Sequence, residues 1–333
     1  MWQGGHMANA PTAIIVAGPT CSGKSALALR IAERFGGHVI NADSMQVYRD
    51  LHILTARPSA ADEARVPHRL YGVLDAATPG SVAWWREQAL EAMQEAWSAQ
   101  HLPILCGGTG MYLRALIEGL VEVPEPSAEA RAEARGLLEH DGSIALHERL
   151  MEADPETASG LQPSDGQRLS RAWEVWRSTG RGLAWWRAQP GLPPAPCRFI
   201  AIRLDPPRDQ LREAIAIRFT QMLSQGALEE VDALLARELP DSLPAMRAHG
   251  VPELVRYRHG ELDLAEATRE VVLATGRYTR RQATWFNHHN LAKPSDSMIS
   301  LQRYDNFAQL SEREGEKIET FIQGAIDEQP GNA

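Results

Sequence analysis

One short run near the N-terminus restricts the fold more than any other feature of this chain. Residues 18–25 read Gly-Pro-Thr-Cys-Ser-Gly-Lys-Ser, which has the spacing of a phosphate-binding P-loop. The run follows an apolar segment at 13–17 and precedes a helical pattern at 26–35. A P-loop needs this strand–loop–helix context, because its backbone amides and the positive end of the new helix bind the anion. We therefore expect a phosphorylated ligand.

The same motif assigns roles within the loop. Lys24 supplies a positive charge, and the hydroxyl of Ser25 can reach a magnesium ion. Cys21 has no evident base beside it and is interpreted as a small spacer residue. The predicted phosphate-binding residues are Gly18, Pro19, Thr20, Cys21, Ser22, Gly23, Lys24 and Ser25.

Composition indicates a soluble protein with two domains. The chain has 333 residues, which is enough for a large core. No apolar run approaches the ~20 residues that a membrane span needs, and the N-terminus lacks the pattern of a secretory signal. The three cysteines are too widely spaced for a disulfide framework or a zinc site. We expect a cytoplasmic protein.

Charge is unevenly distributed along the chain. The net charge of −9 by itself argues against a nucleic-acid partner. Residues 291–333, however, hold eight acidic against four basic residues, whereas 247–290 carry seven arginines and five acids. A basic surface is therefore possible within the second stretch.

Alternation of strand and helix patterns predicts an α/β fold. In residues 8–120 this alternation is typical of βαβ units and a P-loop NTPase-like parallel sheet flanked by helices. Residues 121–196 are bracketed by prolines and show helical patterns with little strand signal, which predicts a small inserted helical domain. The core is expected to resume at 197–290, followed by an acidic C-terminal tail at 291–333.

Several elements can be placed from local signals. Ser81 can cap a helix at 81–99, and Asp263 with Glu266 resembles the capping box of a helix at 263–289. Gly226 is a good end for a helix that begins near residue 208. Strands are predicted at 38–42, 102–106 and 198–204.

The acidic residue that P-loop hydrolases use is missing from its usual position. Such proteins hold magnesium with an aspartate at the end of a neighbouring strand, but the strand at 102–106 ends in Cys106 and glycines. Asp43 instead follows the strand at 38–42, at the edge where open α/β sheets bind ligands. Asp43 either caps the next turn or acts as a general base beside the phosphate site.

Glycines also follow the strand at 102–106. The run Gly107-Gly108-Thr109-Gly110 permits the close approach of a ligand or of backbone, and Thr109 can form a hydrogen bond. On this motif alone, a tight turn without a ligand explains the glycines equally well.

Together these runs resemble the bacterial-type tRNA dimethylallyltransferase (tRNA isopentenyltransferase) family. The resemblance spans about residues 12–290, with its motifs in the family's order. The P-loop alone is generic, but its combination with Asp-Ser-x-Gln-x-Tyr, Gly-Gly-Thr-Gly-x-Tyr and Arg-Gln-x-Thr-Trp is specific. The matching runs are 18–25, 43–48, 55–58, 67–70, 107–112, 165–175, 218–223 with Gly226, and 280–286.

The resemblance implies prenyl transfer to tRNA. The donor would be dimethylallyl diphosphate, and the acceptor would be the exocyclic amine of the adenine 3′ to the anticodon. The P-loop would hold the departing diphosphate, with Mg²⁺ at Ser25, which accounts for the missing strand-end acid. Asp43 would take the proton from the amine, Thr109 would contact the adenosine or its phosphate, and Arg218 would join Lys24 as a second cation.

The tRNA contacts are expected on several separate parts of the chain. Arg277, Arg280 and Arg281 share one face of the last predicted helix, with Trp285 one turn beyond, which suits an RNA loop but also a merely solvated surface. By resemblance, Ser44, Met45 and Gln46 would line the adenine pocket. The further tRNA-binding residues implied are Arg131, Gln167, Arg168, Leu169, Ser170, Arg171, Arg247 and Gln282.

Two positions depart from the family's pattern. The usual glycine before Thr-Ala is Leu54, and the tyrosine expected after Gly250 is Val251. The partners implied are a tRNA anticodon stem-loop and dimethylallyl diphosphate, with no membrane, and we expect a monomer. Two other classes stay open from the residues alone: a small-molecule kinase that uses ATP, and a non-catalytic RNA-binding switch resembling a GTPase.

Overall fold

The computed structural model describes residues 10–304 and 309–327. Within this part, six strands form one sheet: β1 (Thr12–Ala17), β2 (Gly37–Asn41), β3 (His68–Arg69), β4 (Leu102–Gly107), β5 (Arg198–Leu204) and β6 (Ser297–Ser300). Their order is β3-β2-β4-β1-β5-β6, and all neighbours are parallel. The predicted parallel α/β sheet is therefore confirmed, with the P-loop at the end of a central strand.

Helices surround this sheet and form a separate group in the middle of the chain. In the order of the sequence they are α1 (Lys24–Phe35), α2 (Ala60–Arg65), α3 (Val82–Ser98), α4 (Gly110–Ile117), α5 (Ala128–His140), α6 (Gly142–Ala153), α7 (Pro155–Ala158), α8 (Gly166–Thr179), α9 (Leu183–Arg187), α10 (Arg208–Ser224), α11 (Ala227–Leu235), α12 (Val251–Arg258), α13 (Leu264–His288) and α14 (Gln309–Asp327). None of the described helices is both long and apolar enough to span a membrane.

The central strand is apolar throughout because both faces of the sheet are covered. All six residues of β1 are buried. Ala13, Ile15 and Ala17 belong to one core cluster, and Ile14 and Val16 belong to another. Successive side chains of a strand point to opposite faces, so a continuous apolar run is the pattern expected of a doubly covered parallel strand.

The helix caps form as their sequence signals predict. The side chain of Ser81 accepts a hydrogen bond from the backbone of Trp84 at the start of α3. Asp263 and Glu266 form the expected capping box of α13. Gly226 ends α10 as predicted: α10 closes at Ser224 and Gln225, and Gly226 follows in the left-handed conformation typical of helix ends before α11 begins.

Residues Glu118–Pro194 form a second compact unit that contains α5 to α9. Its own core includes the fully buried side chains of Leu146, Leu150, Leu169 and Val175. The insertion predicted at 121–196 corresponds to this unit. The other described residues form the first unit, whereas the predicted start of the core at residues 8 and 9 lies outside the described part.

The predicted separate acidic tail is wrong for the described residues. β6 pairs with β5, and Asp296 forms an ion pair with Arg198 at 2.6 Å between Oδ1 and Nη2. In α14, Ile318 and Ile322 are fully buried in a core cluster of the sheet. Counting charges overlooked this i, i+4 apolar pair, because the acids of α14 lie mainly on its other face. Residues 305–308 and 328–333 of the predicted tail lie outside the described part.

Candidate active site

The P-loop joins β1 to α1 and leaves two functional groups available to an anion. Cys21 and Gly23 have positive φ values of 66° and 92°, so the chain turns sharply before the helix begins. Lys24 has no ion pair with any residue of the described part, and Ser25 is exposed in the first turn of α1. This arrangement is typical of a phosphate cradle.

The loop is held in place by contacts from two distant segments. The backbone N–H of Thr20 donates to Oε1 of Gln282 at 2.9 Å. Nε of Arg303 donates to the carbonyl of Cys21 at 3.1 Å, and the N–H of Tyr304 donates to the carbonyl of Ser22 at 2.9 Å. Because these contacts come from α13 and from the segment after β6, tertiary structure fixes the conformation of the loop.

Asp43 lies just beyond the end of β2 and faces the same site. Its N–H donates to Oδ1 of Asn41 at 2.8 Å, and its Oδ1 accepts the N–H of Met45 at 3.0 Å. The turn-capping interpretation is thus correct for one carboxylate oxygen. Within the described residues Oδ2 has no hydrogen bond, and the side chain lines a cavity that also reaches the P-loop. This second oxygen is available to a substrate.

Thr109 lies beside Asp43 and connects two loops. Its hydroxyl oxygen accepts the N–H of Ser44 at 2.9 Å, and its own N–H donates to the carbonyl of Ala42 at 3.1 Å. Its hydroxyl also donates to Oγ of Ser44 at 3.3 Å. The predicted pair of Asp43 and Thr109 is therefore brought together where β2 and β4 end.

Close packing against α13 explains the glycine run that follows β4. A β-carbon on Gly108 would collide with the amide of Gln282, and one on Gly110 would collide with the ring of Trp285. Nε2 of Gln282 donates to the carbonyl of Gly108 at 3.0 Å. Of the two interpretations of these glycines, close approach applies, and the approaching group is a protein helix.

A cavity of about 80 Å³ joins the P-loop to Asp43 and continues along an apolar wall. One face of α10 forms much of this wall, because its cavity-lining residues lie three or four positions apart. The polar lining includes Thr20, Cys21, Asp43, Arg218, His249 and Tyr278. The apolar lining includes Met45, Leu54, Ile215, Phe219, Met222 and Val271.

Arg218 adds positive charge at the P-loop end of the cavity. Its Nη1 lies 3.5 Å from Sγ of Cys21, and its side chain is only partly exposed. No ion pair to Arg218 is found among the described residues. Together with Lys24 it can offset negative charge on a bound or departing phosphate group.

Burial keeps two polar side chains of the cavity neutral. Burial, and then the charge of Asp43, raises the pKa of the Tyr278 phenol above its ordinary value. Burial, and then the charge of Arg281, lowers the pKa of His249, whose ring lies 4.7 Å from that of Tyr278. Asp43 is therefore the carboxylate that the cavity lining offers as a proton acceptor.

The magnesium ion implied by the P-loop would take most of its coordinating oxygens from the bound diphosphate and from water. No cluster of three or more His, Cys, Asp or Glu side chains in the described part could hold a metal. At the end of β4, burial raises the pKa of the Cys106 thiol to about 11, so this thiol stays neutral. The exposed hydroxyl of Ser25 fits a magnesium ion that is otherwise held by phosphate oxygens and water.

The predicted arginine stripe of α13 is exposed. Arg277, Arg280 and Arg281 are accessible and form no ion pair within the described residues, although Arg281 lies over the Tyr278 ring at 5.5 Å. Trp285 stacks on His289 with ring centroids 4.0 Å apart. The arginines can therefore meet phosphates, whereas Trp285 already has an aromatic partner.

In the unit that contains the sheet, two residues that were predicted to contact tRNA form hydrogen bonds with loops of the protein instead. Gln282 is only 4% exposed and its amide bridges the P-loop to Gly108. Gln46 is 8% exposed, and its Nε2 donates to the carbonyls of Thr55 and Ala56 at 2.9 and 3.0 Å. Both amides stabilise loops of the site, so we reassign these residues from tRNA contact to positioning.

Other predicted contacts in this unit differ in accessibility. Met45 lines the cavity, whereas Ser44 is bound to Thr109. Arg247 is exposed in a short 3₁₀ turn, where its Nε donates to the carbonyl of Asp241 at 3.3 Å. Arg247 can therefore reach an external partner.

In the second unit, the predicted tRNA residues lie on α5 and α8. Leu169 has no exposed surface, and Oγ of Ser170 is buried without a hydrogen bond, so their side chains cannot meet RNA in this conformation. Leu169 is therefore reassigned to the core of the unit. Gln167 is exposed, and the arginines pair with neighbouring acids: Arg131 with Glu125, Arg168 with Asp165, and Arg171 with Glu174.

Sequence reasoning missed several residues that build the site. Glu230 of α11 accepts hydrogen bonds from three successive N–H groups, those of His52, Ile53 and Leu54, at 2.7, 2.7 and 2.9 Å. Nothing near Glu230 in the sequence announces a partner almost 180 positions away. Tyr278 could have been found from the arginine stripe, because it lies between Arg277 and Arg281.

Comparison with known proteins identifies close relatives. The family model described as IPP transferase matches residues 46–289. A tRNA dimethylallyltransferase of Gluconobacter oxydans is 70% identical over 316 residues, with 95% of each chain covered. Another from Gluconacetobacter diazotrophicus is 60% identical and covers 94% of this chain and 95% of that one.

Solved structures agree with this similarity. The full-length tRNA isopentenylpyrophosphate transferase of Bacillus halodurans has a TM-score of 0.67 and 29% identity, with 96% of this chain and 98% of that chain covered. A eukaryotic dimethylallyltransferase acting on tRNA has a TM-score of 0.75 and covers 97% of this chain and 81% of its own. Its identity is 22%, so this second likeness concerns the fold alone.

Proposed function

The chain belongs to the IPP transferase family, and on that premise we propose that it transfers a dimethylallyl group from dimethylallyl diphosphate to tRNA. The acceptor is the exocyclic amine of the adenine 3′ to the anticodon. One observation carries the proposal: a single cavity joins the P-loop, an apolar wall and the free carboxylate oxygen of Asp43. A kinase would not need the apolar wall between phosphate and base.

The bond between the allylic carbon and the diphosphate oxygen breaks as the bond to the adenine nitrogen forms. The diphosphate leaves with the bonding electron pair, so negative charge grows at the P-loop. Lys24, Arg218 and the amides of the loop stabilise this charge where it develops. A bound Mg²⁺, held at Ser25 and by the diphosphate, would neutralise further charge there.

Asp43 holds and then accepts the proton that the adenine amine loses. Its Oδ1 is fixed by the N–H of Met45, which leaves Oδ2 for the amine. Thr109, bound to Ser44, orients the adenosine beside it. The apolar wall excludes water, which would otherwise attack the electron-poor allylic carbon.

The tRNA reaches this site through an extruded base. The adenine must leave its stack before Asp43 can contact the amine, as enzymes that modify bases generally require. The exposed arginines of α13 bind phosphates of the anticodon loop, and Arg131, Gln167, Arg168, Arg171 and Arg247 supply further contacts. We infer a cytoplasmic monomer, and light scattering of the free protein tests the oligomeric state.

Substitution of Asp43 tests the proposal. The assay supplies labelled dimethylallyl diphosphate, Mg²⁺ and an anticodon stem-loop with adenines 3′ to the anticodon, without ATP. We expect the wild-type protein to transfer label and Asp43→Ala to lose about 100-fold or more in kcat, because general-base catalysis contributes on that order. Asp43→Asn keeps the side-chain shape and serves as the matched variant.

Binding of the stem-loop is the control. Its Kd should change less than about threefold in both variants, since Asp43 acts mainly in the transition state. Near-normal turnover by Asp43→Ala would remove Asp43 from the chemistry. Absence of transfer by the wild-type protein would overturn the activity itself.

A further inference from the structure

We infer that Leu54 closes the apolar end of the donor cavity and thereby limits the length of the prenyl chain that the enzyme transfers. The inference rests on the proposed function and goes beyond it, because it concerns which allylic diphosphates can enter. Leu54 lines the cavity together with other apolar side chains.

The two ends of the cavity differ in chemistry. At the phosphate end, Arg218 and Cys21 are in contact through Nη1 and Sγ. The next residue on α10, Phe219, meets Leu54 at Gly250: a β-carbon on this glycine would lie 2.9 Å from Cδ2 of Leu54 and 3.6 Å from Cε2 of Phe219. Leu54 and Phe219 both lie beside Gly250 and both line the cavity, so they form one stretch of its apolar wall.

Leu54 is packed tightly beside the cavity that it lines. Its side chain belongs to the core cluster and is 7% exposed. Met222, one turn after Phe219 on α10, is also buried and lines the same cavity. A prenyl chain longer by one isoprene unit would have to displace one of these packed side chains, which well-packed cores resist.

The backbone of Leu54 is also fixed. Its N–H donates to Oε1 of Glu230 at 2.9 Å, and the N–H groups of His52 and Ile53 donate to Oε2 at 2.7 Å each. Three hydrogen bonds to one ionised acceptor are stronger than bonds between neutral groups. Leu54 therefore cannot withdraw without loss of this anchor, and it acts as a rigid stop.

The chemistry at the other end does not depend on chain length. For any allylic diphosphate, the C–O bond to the diphosphate breaks, the C–N bond to the adenine amine forms, the amine proton passes to Asp43, and diphosphate leaves with the electron pair. A longer donor is therefore excluded by space, and enlarging the cavity should admit it without a change in the reacting groups.

The test compares two donors in competition, dimethylallyl diphosphate and geranyl diphosphate, with the same anticodon stem-loop. In Leu54→Ala we expect the ratio of kcat/KM for geranyl over dimethylallyl diphosphate to rise about tenfold or more, the usual size of discrimination by a hydrophobic pocket. Leu116→Ala is the matched control, because Leu116 is fully buried in the same core cluster but does not line the cavity. The control should leave the ratio unchanged.

An unchanged ratio in a folded Leu54→Ala protein would overturn the inference, and so would an equal rise in Leu116→Ala. Thermal unfolding verifies that both variants fold. If Leu54→Ala does not fold, Leu54→Val replaces it and must raise the ratio in the same direction. The wild-type reaction separates the two hypotheses: if it transfers neither donor, the proposed function fails, whereas transfer of both with equal efficiency contradicts only the length limit.

Discussion

At the scale of single residues, burial decides which polar side chains remain free to bind a ligand. Gln282 lies in a motif that resembles a tRNA-binding element, yet its amide is almost fully buried. It accepts the N–H of Thr20 and donates to the carbonyl of Gly108, so one side chain ties the P-loop to the loop after β4. Its effect on catalysis must act through these two loops.

Gln282→Ala should weaken both stability and donor binding. The change leaves the N–H of Thr20 and the carbonyl of Gly108 without partners, and each unsatisfied buried group costs about 1–3 kcal/mol. We expect a loss of about 2 kcal/mol or more in the free energy of unfolding, measured by urea denaturation. The KM for dimethylallyl diphosphate should rise while the Kd for the stem-loop stays constant.

Arg280→Ala is the control on the same helix. Arg280 is exposed and forms no ion pair within the described residues, so its removal should not change stability. Loss of stem-loop affinity in Gln282→Ala with an unchanged KM for the donor would return Gln282 to a direct tRNA contact.

At the scale of elements, the two faces of α13 have different roles. One face packs into the protein, and the other is exposed and available to an RNA. Val271, Thr275 and Thr279 are buried, whereas Arg277 and Arg281 are exposed. The spacing of three and four residues places each set on one side of the helix. A single helix thus fixes the loops of the active site and offers positive charge to an RNA.

Removing this charge should change the salt dependence of tRNA binding. For the triple variant Arg277→Ala, Arg280→Ala, Arg281→Ala, the slope of log Kd against log salt should fall by about two, since each phosphate contact on single-stranded RNA contributes roughly 0.7. Filter binding over a salt series measures the slope. Arg269→Ala, an exposed arginine two turns earlier on α13, is the control and should leave it nearly unchanged.

The loop that carries Leu54 is fixed by hydrogen bonds to Glu230 of α11. Glu230→Gln keeps one acceptor oxygen but loses the charge that binds three N–H groups, so we expect a stability loss of about 1–3 kcal/mol. The loosened loop should also raise the relative use of geranyl diphosphate. Glu229→Gln, at an exposed neighbouring carboxylate, is the matched variant and should alter neither quantity.

At the scale of the whole molecule, the C-terminal segment belongs to the catalytic unit. Arg198 of β5 pairs with Asp296 and donates to the carbonyl of Ala325 at 2.7 Å, which links β5, the approach to β6 and α14. The same segment supplies the contacts of Arg303 and Tyr304 to the P-loop. An acidic stretch far from the motifs therefore supports the phosphate site.

Asp296 should make stability depend on pH. Its hydrogen bonds with Arg198 hold the pKa of the carboxyl below its usual range. A depressed folded-state pKa contributes stability that is complete above the unfolded pKa of about 4 and is lost as pH falls through the lower folded value. We expect Asp296→Asn to cost about 2 kcal/mol at neutral pH and less in acid.

Urea unfolding from pH 7 to pH 3 measures this dependence. Glu316→Gln, at an exposed carboxylate of α14, should keep the wild-type profile. A constant difference between wild type and Asp296→Asn over the whole pH range would contradict an ionic contribution from this pair.

Local patterns predicted much of the fold and of the phosphate site. Neighbouring residues determine the P-loop, the strand at 198–204 and the caps of α3 and α13. These features depend on short-range hydrogen bonds and on side-chain periodicity. Asp43 was also placed correctly, since the ends of parallel strands meet at one edge of a sheet. The loop-bridging role of Gln282, which was predicted as a tRNA contact, and the whole role of Glu230 escaped prediction because their partners lie far away in the sequence.

The sequence by itself determined a parallel α/β core with a P-loop after its central strand and with Asp43 at the same edge of the sheet. Only the tertiary structure decided what surrounds them: the amide of Gln282 across the P-loop, the carboxylate of Glu230 beneath Leu54, and the C-terminal segment on the sheet. The physical reason is the separation along the sequence of the residues that are in contact. A motif records contacts between residues a few positions apart, whereas the shape of a cavity depends on packing between segments that meet only when the chain folds.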